Sequence, residues 1–175
     1  MSLVPSDWPA LPRNLTAQGI GLRAVTDADA AFLRKLYGAG RAEEMARVAW
    51  PAEAVARFLD DQFRFQHHHF ATHFAHADQA IVTADGASIG RLMLDRSARP
   101  WRLIEVALMP SMQGRGWGGA LLRWLQQAAR TDKASGIDLH VAFDNPRAEA
   151  LYRRLGFGDA PHDSATHRRL LWTIS

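Results

Sequence analysis

The 175-residue chain contains no cysteine. That absence excludes disulfides, thiolate metal sites and a cysteine nucleophile together, and leaves the redox compartment open. No apolar run is long enough to span a membrane, so no membrane partner is expected. The first segment, MSLVPSDWPALPRN, lacks a basic stretch followed by an apolar block. No secretory signal is therefore read there, and a cytoplasmic location is expected. There is no internal repeat and no low-complexity tract. Basic residues outnumber acidic ones only 21 to 18 and are spread along the chain, which argues against a nucleic-acid partner.

What is present is the composition of an ordinary globular domain, 47% hydrophobic and 22% charged. The length fits one domain with a full core. Residues 1–19 hold three prolines and little periodicity, and read as an N-terminal arm or an irregular lead-in. IGLRAV (20–25) reads as a first strand, and Asp27 as the cap of a helix carrying Ala30, Phe32, Leu33 and Leu36. Pro51 suits the first position of a long helix. Val55, Phe58, Leu59, Phe63, Phe70 and Phe74 then recur at helical spacing to about residue 75.

QAIVTADGASIGRLMLD predicts two strands around an Asp85-Gly86 turn. WRLIEVALM (101–109) is nearly continuous in apolar residues, as a strand buried on both faces requires, and Pro110 ends its pairing. Trp117, Ala120, Leu121, Trp124, Leu125 and Ala128 form a helical stripe. IDLHVAF (137–143) is another buried strand, with His140 expected in a core or interface. Asn145-Pro146 opens a helix that Gly156 stops, and RRLLWTI (168–174) closes the chain as a strand. The order implies one α/β domain, a mixed sheet with helices on its faces.

The densest signal is MQGRGWGGALL, with four glycines between positions 114 and 119. Glycine costs conformational entropy, and its usual return is close approach of the backbone to a ligand. Gly114, Gly116 and Gly119 fit a dinucleotide fingerprint, with Asp144 at the end of the next strand. Topology opposes that reading. Only 31 residues follow Asp144, too few for a second β-α-β half. One frame earlier, Gln113-Gly114-Arg115-Gly116-Trp117-Gly118 fits Q/R-x-x-G-x-G/A directly after a strand ending in proline. Farther on stands NPRAEALYRRLGF (145–157).

With these two motifs in order, the sequence resembles the GNAT superfamily of acyl-CoA-dependent N-acyltransferases over residues 20–175. The resemblance implies the acyl-CoA N-acyltransferase fold, a single α/β (α+β) domain whose mixed, mostly antiparallel sheet has about six or seven strands flanked by helices. It implies an arm over 1–19, an N-acetyltransferase domain over 20–175, and acetyl-CoA as co-substrate with no metal. A glycine turn at a helix N-terminus makes an anion cradle from backbone N–H groups. The resemblance assigns that role, toward the coenzyme A pyrophosphate, to Gln113, Gly114, Arg115, Gly116, Trp117, Gly118 and Gly119. Arg115 equally suits a solvent-facing position, and the Trp117 ring reads as core.

Acetyl transfer to an amine needs a neutral amine, a stabilised oxyanion and a proton for the departing thiolate. By resemblance, Tyr152 is the general acid, its ring also fitting the apolar stripe of its helix. Backbone groups of Ala107, Leu108 and Met109, where the fourth strand parts from the next, are to meet the pantetheine arm, with amides around Leu108 and Met109 stabilising the oxyanion. Asn145 is either a pantetheine ligand or simply the cap before Pro146. Glu105 interrupts an apolar strand, and an unpaired buried carboxylate is costly. Two explanations stand: a base taking the amine proton, or an ion pair with Arg91 or Arg102.

His67, His68, His69, His73 and His76 cluster near the long helix. His69 and His73 have metal-ligand spacing, but no Glu-x-x-His pattern or cysteine completes a site. That helix either walls the acceptor pocket, around Phe63, Gln66, His69 and Phe70, or packs on the sheet with its histidines solvated. The expected activity is direct acetyl transfer from acetyl-CoA to the primary amine of a small molecule or peptide. A non-catalytic acyl-CoA-binding module is the alternative, and the resemblance alone suggests a homodimer.

Overall fold

Asp85 and Gly86 both take positive φ, +48° and +81°, as a two-residue type I′ hairpin requires. Their turn joins β2 (Asp78–Ala84) to β3 (Ala87–Asp95). The computed structural model describes residues 8–97 and 99–174. β1 (Ile20–Ala24) lies antiparallel on β2, and β4 (Trp101–Leu108) antiparallel on β3. Across a single parallel contact, β4 meets β5 (Gly136–Ala142). β7 (His167–Thr173) then pairs with β5 and with the short β6 (Gly158–Asp159). The seven strands run in the order β1-β2-β3-β4-β5-β7-β6, the mixed and mostly antiparallel sheet expected from the sequence.

Helices cover both faces. On one side α5 (Trp117–Thr131) buries Leu121, Leu122, Leu125 and Ala129 against Leu92, Leu94, Leu103, Ile137, Leu139 and Leu170. α6 (Pro146–Arg154) adds Leu151 and Tyr152 to the same cluster. The other side carries α2 (Ala30–Gly40), the single turn α3 (Ala42–Met45) and the long α4 (Ala52–His73). There Leu33 and Phe63 pack on Ile81, whose strand neighbours Ala80 and Val82 face the α5 side.

Three expectations needed correction. A 3-10 turn (Asp27–Asp29) leads into α2, and its cap is Thr26, not Asp27: the Thr26 backbone N–H donates to Asp29 Oδ2 at 2.8 Å, its hydroxyl to the same oxygen at 3.1 Å, and Asp27 is exposed. Residues 8–19 pack onto the domain. Trp8 stacks on Trp124 at 5.8 Å, Leu15 of α1 (Arg13–Thr16) is fully buried, and the Trp124 indole donates to the Ala10 carbonyl. Residues 1–7 of the expected arm lie outside the described residues. His140 is exposed, so it is not a core residue. Finally, β4 is not buried on both faces throughout: Ile104 to Leu108 are only half-buried. The reason lies in its neighbour.

Candidate active site

β4 and β5 pair only through Trp101–Ile137, Arg102–Asp138 and Leu103–Leu139. Beyond those pairs β4 runs on to Leu108 and β5 to Ala142 without meeting, and the sheet opens between them. The opening begins at a β-bulge. Met93 is opposite Glu105 while Leu94 is opposite Leu103, which leaves Ile104 unmatched. The extra residue also resets which way side chains point. Trp101 and Leu103 face the α5 core, and so do Val106 and Leu108, so Glu105 and Ala107 face the α2–α4 side.

The backbone of β4 is asymmetric in the same region. Met109 N–H donates to the Ile89 carbonyl at 2.8 Å. In an antiparallel ladder such bonded pairs alternate, so Ala107 also bonds toward β3 while Val106 and Leu108 turn their amides toward the opening. The Leu108 carbonyl, on that side, accepts from Gln113 Nε2 at 3.0 Å. The amide expected at Met109 as an oxyanion donor is thus already engaged. Leu108 is the donor that faces the opening, and Val106, which sequence alone did not single out, shares its orientation.

After a 3-10 turn at Pro110–Met112, Gly114 and Gly116 take φ of +77° and +80°. A side chain would be strained at either position. A Cβ there would meet nothing within 4 Å, so the space above both glycines is clear. Gly116 is the N-cap of α5, and no side chain caps the helix. The amides of Trp117, Gly118 and Gly119 therefore have no acceptor within the helix, and they face the clear space as a cradle for an anion. A Cβ on Gly118 would lie 3.9 Å from both Leu108 and Leu151, so this helix end sits where β4 and α6 converge. The residues present fit a diphosphate. Arg115 lies exposed with its guanidinium 5.2 Å from the Trp117 ring, and the buried Trp117 indole donates to Gln18 Oε1 at 3.0 Å. Trp117 is a core residue by its side chain, and only its backbone faces the glycine turn.

At the start of α6, Asn145 Oδ1 accepts from Ala148 N–H at 3.2 Å, so this side chain does cap its helix. Two turns on, the half-buried Tyr152 ring packs on Phe157 at 5.8 Å. Burial, and then the nearby charge of Glu105, push its hydroxyl up to about 12. It therefore keeps its proton through the neutral range. Beside the opening is a cavity of about 900 Å³ between α2, α3, α4 and the parted strands. Glu105 lines it, with Oε2 3.4 Å from Arg91 Nε. Burial raises the Glu105 carboxyl, and Arg91 partly opposes the rise. Arg102, the other partner considered, is bound instead to Asp138.

The family model for acetyltransferases of the GNAT family matches residues 40–157. The chain belongs to this family. It is an acyltransferase. Solved structures share the fold over 89% of the chain. The PaiA N-acetyltransferase of Thermoplasma acidophilum, solved with coenzyme A, is 15% identical with a TM-score of 0.65 over 99% of its own length. An acetyltransferase of Thermus thermophilus is 20% identical at 0.63, over 97% of its chain. The spermidine N-acetyltransferase of Vibrio cholerae, solved with coenzyme A and spermine, is 20% identical at 0.57, over 95%. No curated protein matches the sequence.

Within this GNAT domain the cavity gathers some expected acceptor residues and not others. Phe63 and Gln66 line it alongside Glu105, as do Ala107 and Asn145, which were expected to meet the cofactor. His69 does not. It is exposed and stacks on His73 at 4.3 Å, because the face of α4 that carries it turns to solvent. Phe70 lies behind the wall, its ring 5.4 Å from the Arg91 guanidinium carbon. Among the described residues no group of three His, Cys, Asp or Glu side chains is placed to hold a metal ion. The far wall comes from α2 and α3, through Tyr37, Arg41, Glu44 and Arg47. Arg41, Glu44 and Arg47 were missed because GAGRAEEMARVAW shows no apolar period, and only the wall they share with Tyr37 reveals them. No described helix is long and apolar enough to cross a membrane.

Proposed function

We propose that this GNAT acyltransferase moves an acetyl group from acetyl-CoA directly to a primary amine. The observation that carries this reading is the convergence of the β4–β5 opening with the uncapped glycine end of α5, beside a cavity that contains Glu105. The amides of the turn from Gln113 to Gly119 hold the diphosphate. Backbone groups of Val106 and Leu108 align the pantetheine arm in place of the missing strand pairing, and the free amide nitrogen of Asn145 adds a donor. Acetyl-CoA supplies the activated acyl group. The amine, a small molecule or a peptide, enters from the cavity walled by α2, α3 and α4.

Glu105 takes the proton that the attacking nitrogen sheds as its bond to the acetyl carbon forms. Leu108 N–H supports the charge that builds on the acetyl oxygen. As the carbon–sulfur bond breaks, Tyr152 gives its proton to the departing thiolate. The two titrating groups act on each other, because the Glu105 charge helps hold the Tyr152 proton in place. Once Glu105 is protonated that hold is gone, and Tyr152 becomes the better acid. Calorimetry with coenzyme A, followed by thiol release across a panel of polyamines, amino acids and peptides, tests the proposal. Binding with turnover of at least one amine is expected; absence of coenzyme A binding overturns it.

A further inference from the structure

Arg91 is an unusual residue for its position. It sits mid-sheet on β3, opposite Ile81 on β2 and Ala107 on β4, and is only 3% exposed. Its neighbours in the chain, Gly90, Leu92, Met93 and Leu94, are buried and uncharged. A buried cation is rare unless paired. Nη2 donates to Gln79 Oε1 at 2.7 Å and approaches Met93 Sδ at 3.7 Å, while Phe70 of α4 covers the guanidinium. The carboxylate within ion-pair reach, among the described residues, is Glu105.

That contact is electrostatic, not a fork of hydrogen bonds. Arg91 Nε, 3.4 Å from Glu105 Oε2, makes no hydrogen bond. No hydrogen bond among the described residues ties up Glu105 either, so its oxygens keep their lone pairs for a proton. A buried ion pair is weak support for stability, since apolar residues of similar volume often serve as well. A pair at the wall of the acceptor cavity calls for another account.

We propose that Arg91 is the positioning residue of this site: tethered to Gln79 and covered by Phe70, it holds the Glu105 carboxylate toward the cavity and keeps it charged and ready to accept the amine proton. This rests on the reading of Glu105 as the base. The charged and titratable groups facing Glu105 are Arg91 from β3 and Tyr152 from α6; α4 contributes the uncharged Phe70. Across the cavity stand the Arg41–Glu44 pair, Glu43, Arg47, Asp144 and His167. Burial lifts the Glu105 carboxyl, and Arg91 is the cation that restrains the rise.

The test is the pH dependence of turnover with acetyl-CoA and an acceptor amine of low basicity. Arg91→Met removes the cation, so Glu105 ionises later and the acidic limb moves up by about 1 to 3 pH units. The rate above that limb settles below the wild-type rate, because the carboxylate is no longer held toward the cavity. Arg91→Lys moves the limb less. Gln79→Met, which releases the tether and keeps the charge, gives a smaller upward shift and serves if Arg91→Met does not fold. An unmoved limb in these variants, or a loss equal at every pH, overturns the proposal. Glu105→Gln separates the two readings. Loss of the acidic limb supports Glu105 as the base, whatever Arg91 does; a limb that persists unchanged overturns the base itself.

Discussion

Leu103 on β4 and Leu139 on β5 are the last residues those strands pair across, and the site begins where they part. Past that point Leu108 turns its amide to the opening, while Met109 gives its own to Ile89. Leu108→Pro should therefore lower acetyl-CoA affinity by about tenfold, the value of one hydrogen bond to the acetyl oxygen in a sheltered groove. Met109→Pro breaks a ladder bond and should depress the melting temperature more. Calorimetry and thermal unfolding of the two variants check the contrast. Equal affinity for Leu108→Pro and the parent would remove this amide from the cofactor site.

Gly116→Ala forces a side chain to φ of +80° and should cost about 1 kcal/mol of stability, with no clash to add to it. Gly116→Glu adds bulk and negative charge at the helix N-terminus, and coenzyme A binding should be abolished while the fold persists. Circular dichroism and calorimetry on both proteins read the two effects separately. Full affinity in the glutamate variant is incompatible with a diphosphate cradle here.

Tyr152→Phe keeps the ring on Phe157 and deletes the hydroxyl. Coenzyme A binding and melting temperature should be unchanged, and kcat should fall by about a hundredfold, the usual value of a positioned acid. Steady-state kinetics decide it. Unimpaired turnover means that the thiolate gets its proton from elsewhere.

Asp29 lies beneath the start of α2, where both Arg23 guanidinium nitrogens bond its carboxylate. Hydrogen bonding from Arg23, set against burial, draws the carboxyl down to about 2. A depressed folded-state value means stability that is present above the ordinary carboxyl range near about pH 4 and is lost as pH falls through about 2. Asp29→Asn should destabilise by about 2 kcal/mol at neutral pH, the gap to the parent closing in acid. Urea unfolding at pH 7 and pH 3 measures it; a gap that does not change with pH would assign the loss to packing.

Trp8 tests how the start of the chain is attached. It is buried, stacked within 17° of parallel on Trp124. Trp8→Ala should cost about 3 kcal/mol in urea unfolding. A loss well below that would mean the segment from Trp8 to Gly19 adds little to the core.

Local features of this protein are written in short stretches of chain and could be read there. The Asp85-Gly86 turn, the left-handed Gly114 and Gly116, the Asn145-Pro146 helix start and the α5 stripe depend on backbone preference or helical period within a few residues. Contacts between distant segments could not be read in that way. Strict alternation along β4 puts Glu105 on the same face as Trp101 and Leu103; one unmatched residue, Ile104, sends it to the cavity and to Arg91 instead of Arg102. Periodicity showed that α4 is a helix but not which face meets the sheet, so Phe63 and His69 looked equivalent and only Phe63 lines the cavity. Trp8 joins the core because Trp124 waits far along the chain. Sequence by itself determined the main strands and helices and the left-handed glycine turn, since those are set by neighbours along the backbone. The parting of β4 from β5, the partner of Glu105 and the walls of the cavity were decided in three dimensions, where strand register and packing choose which groups meet.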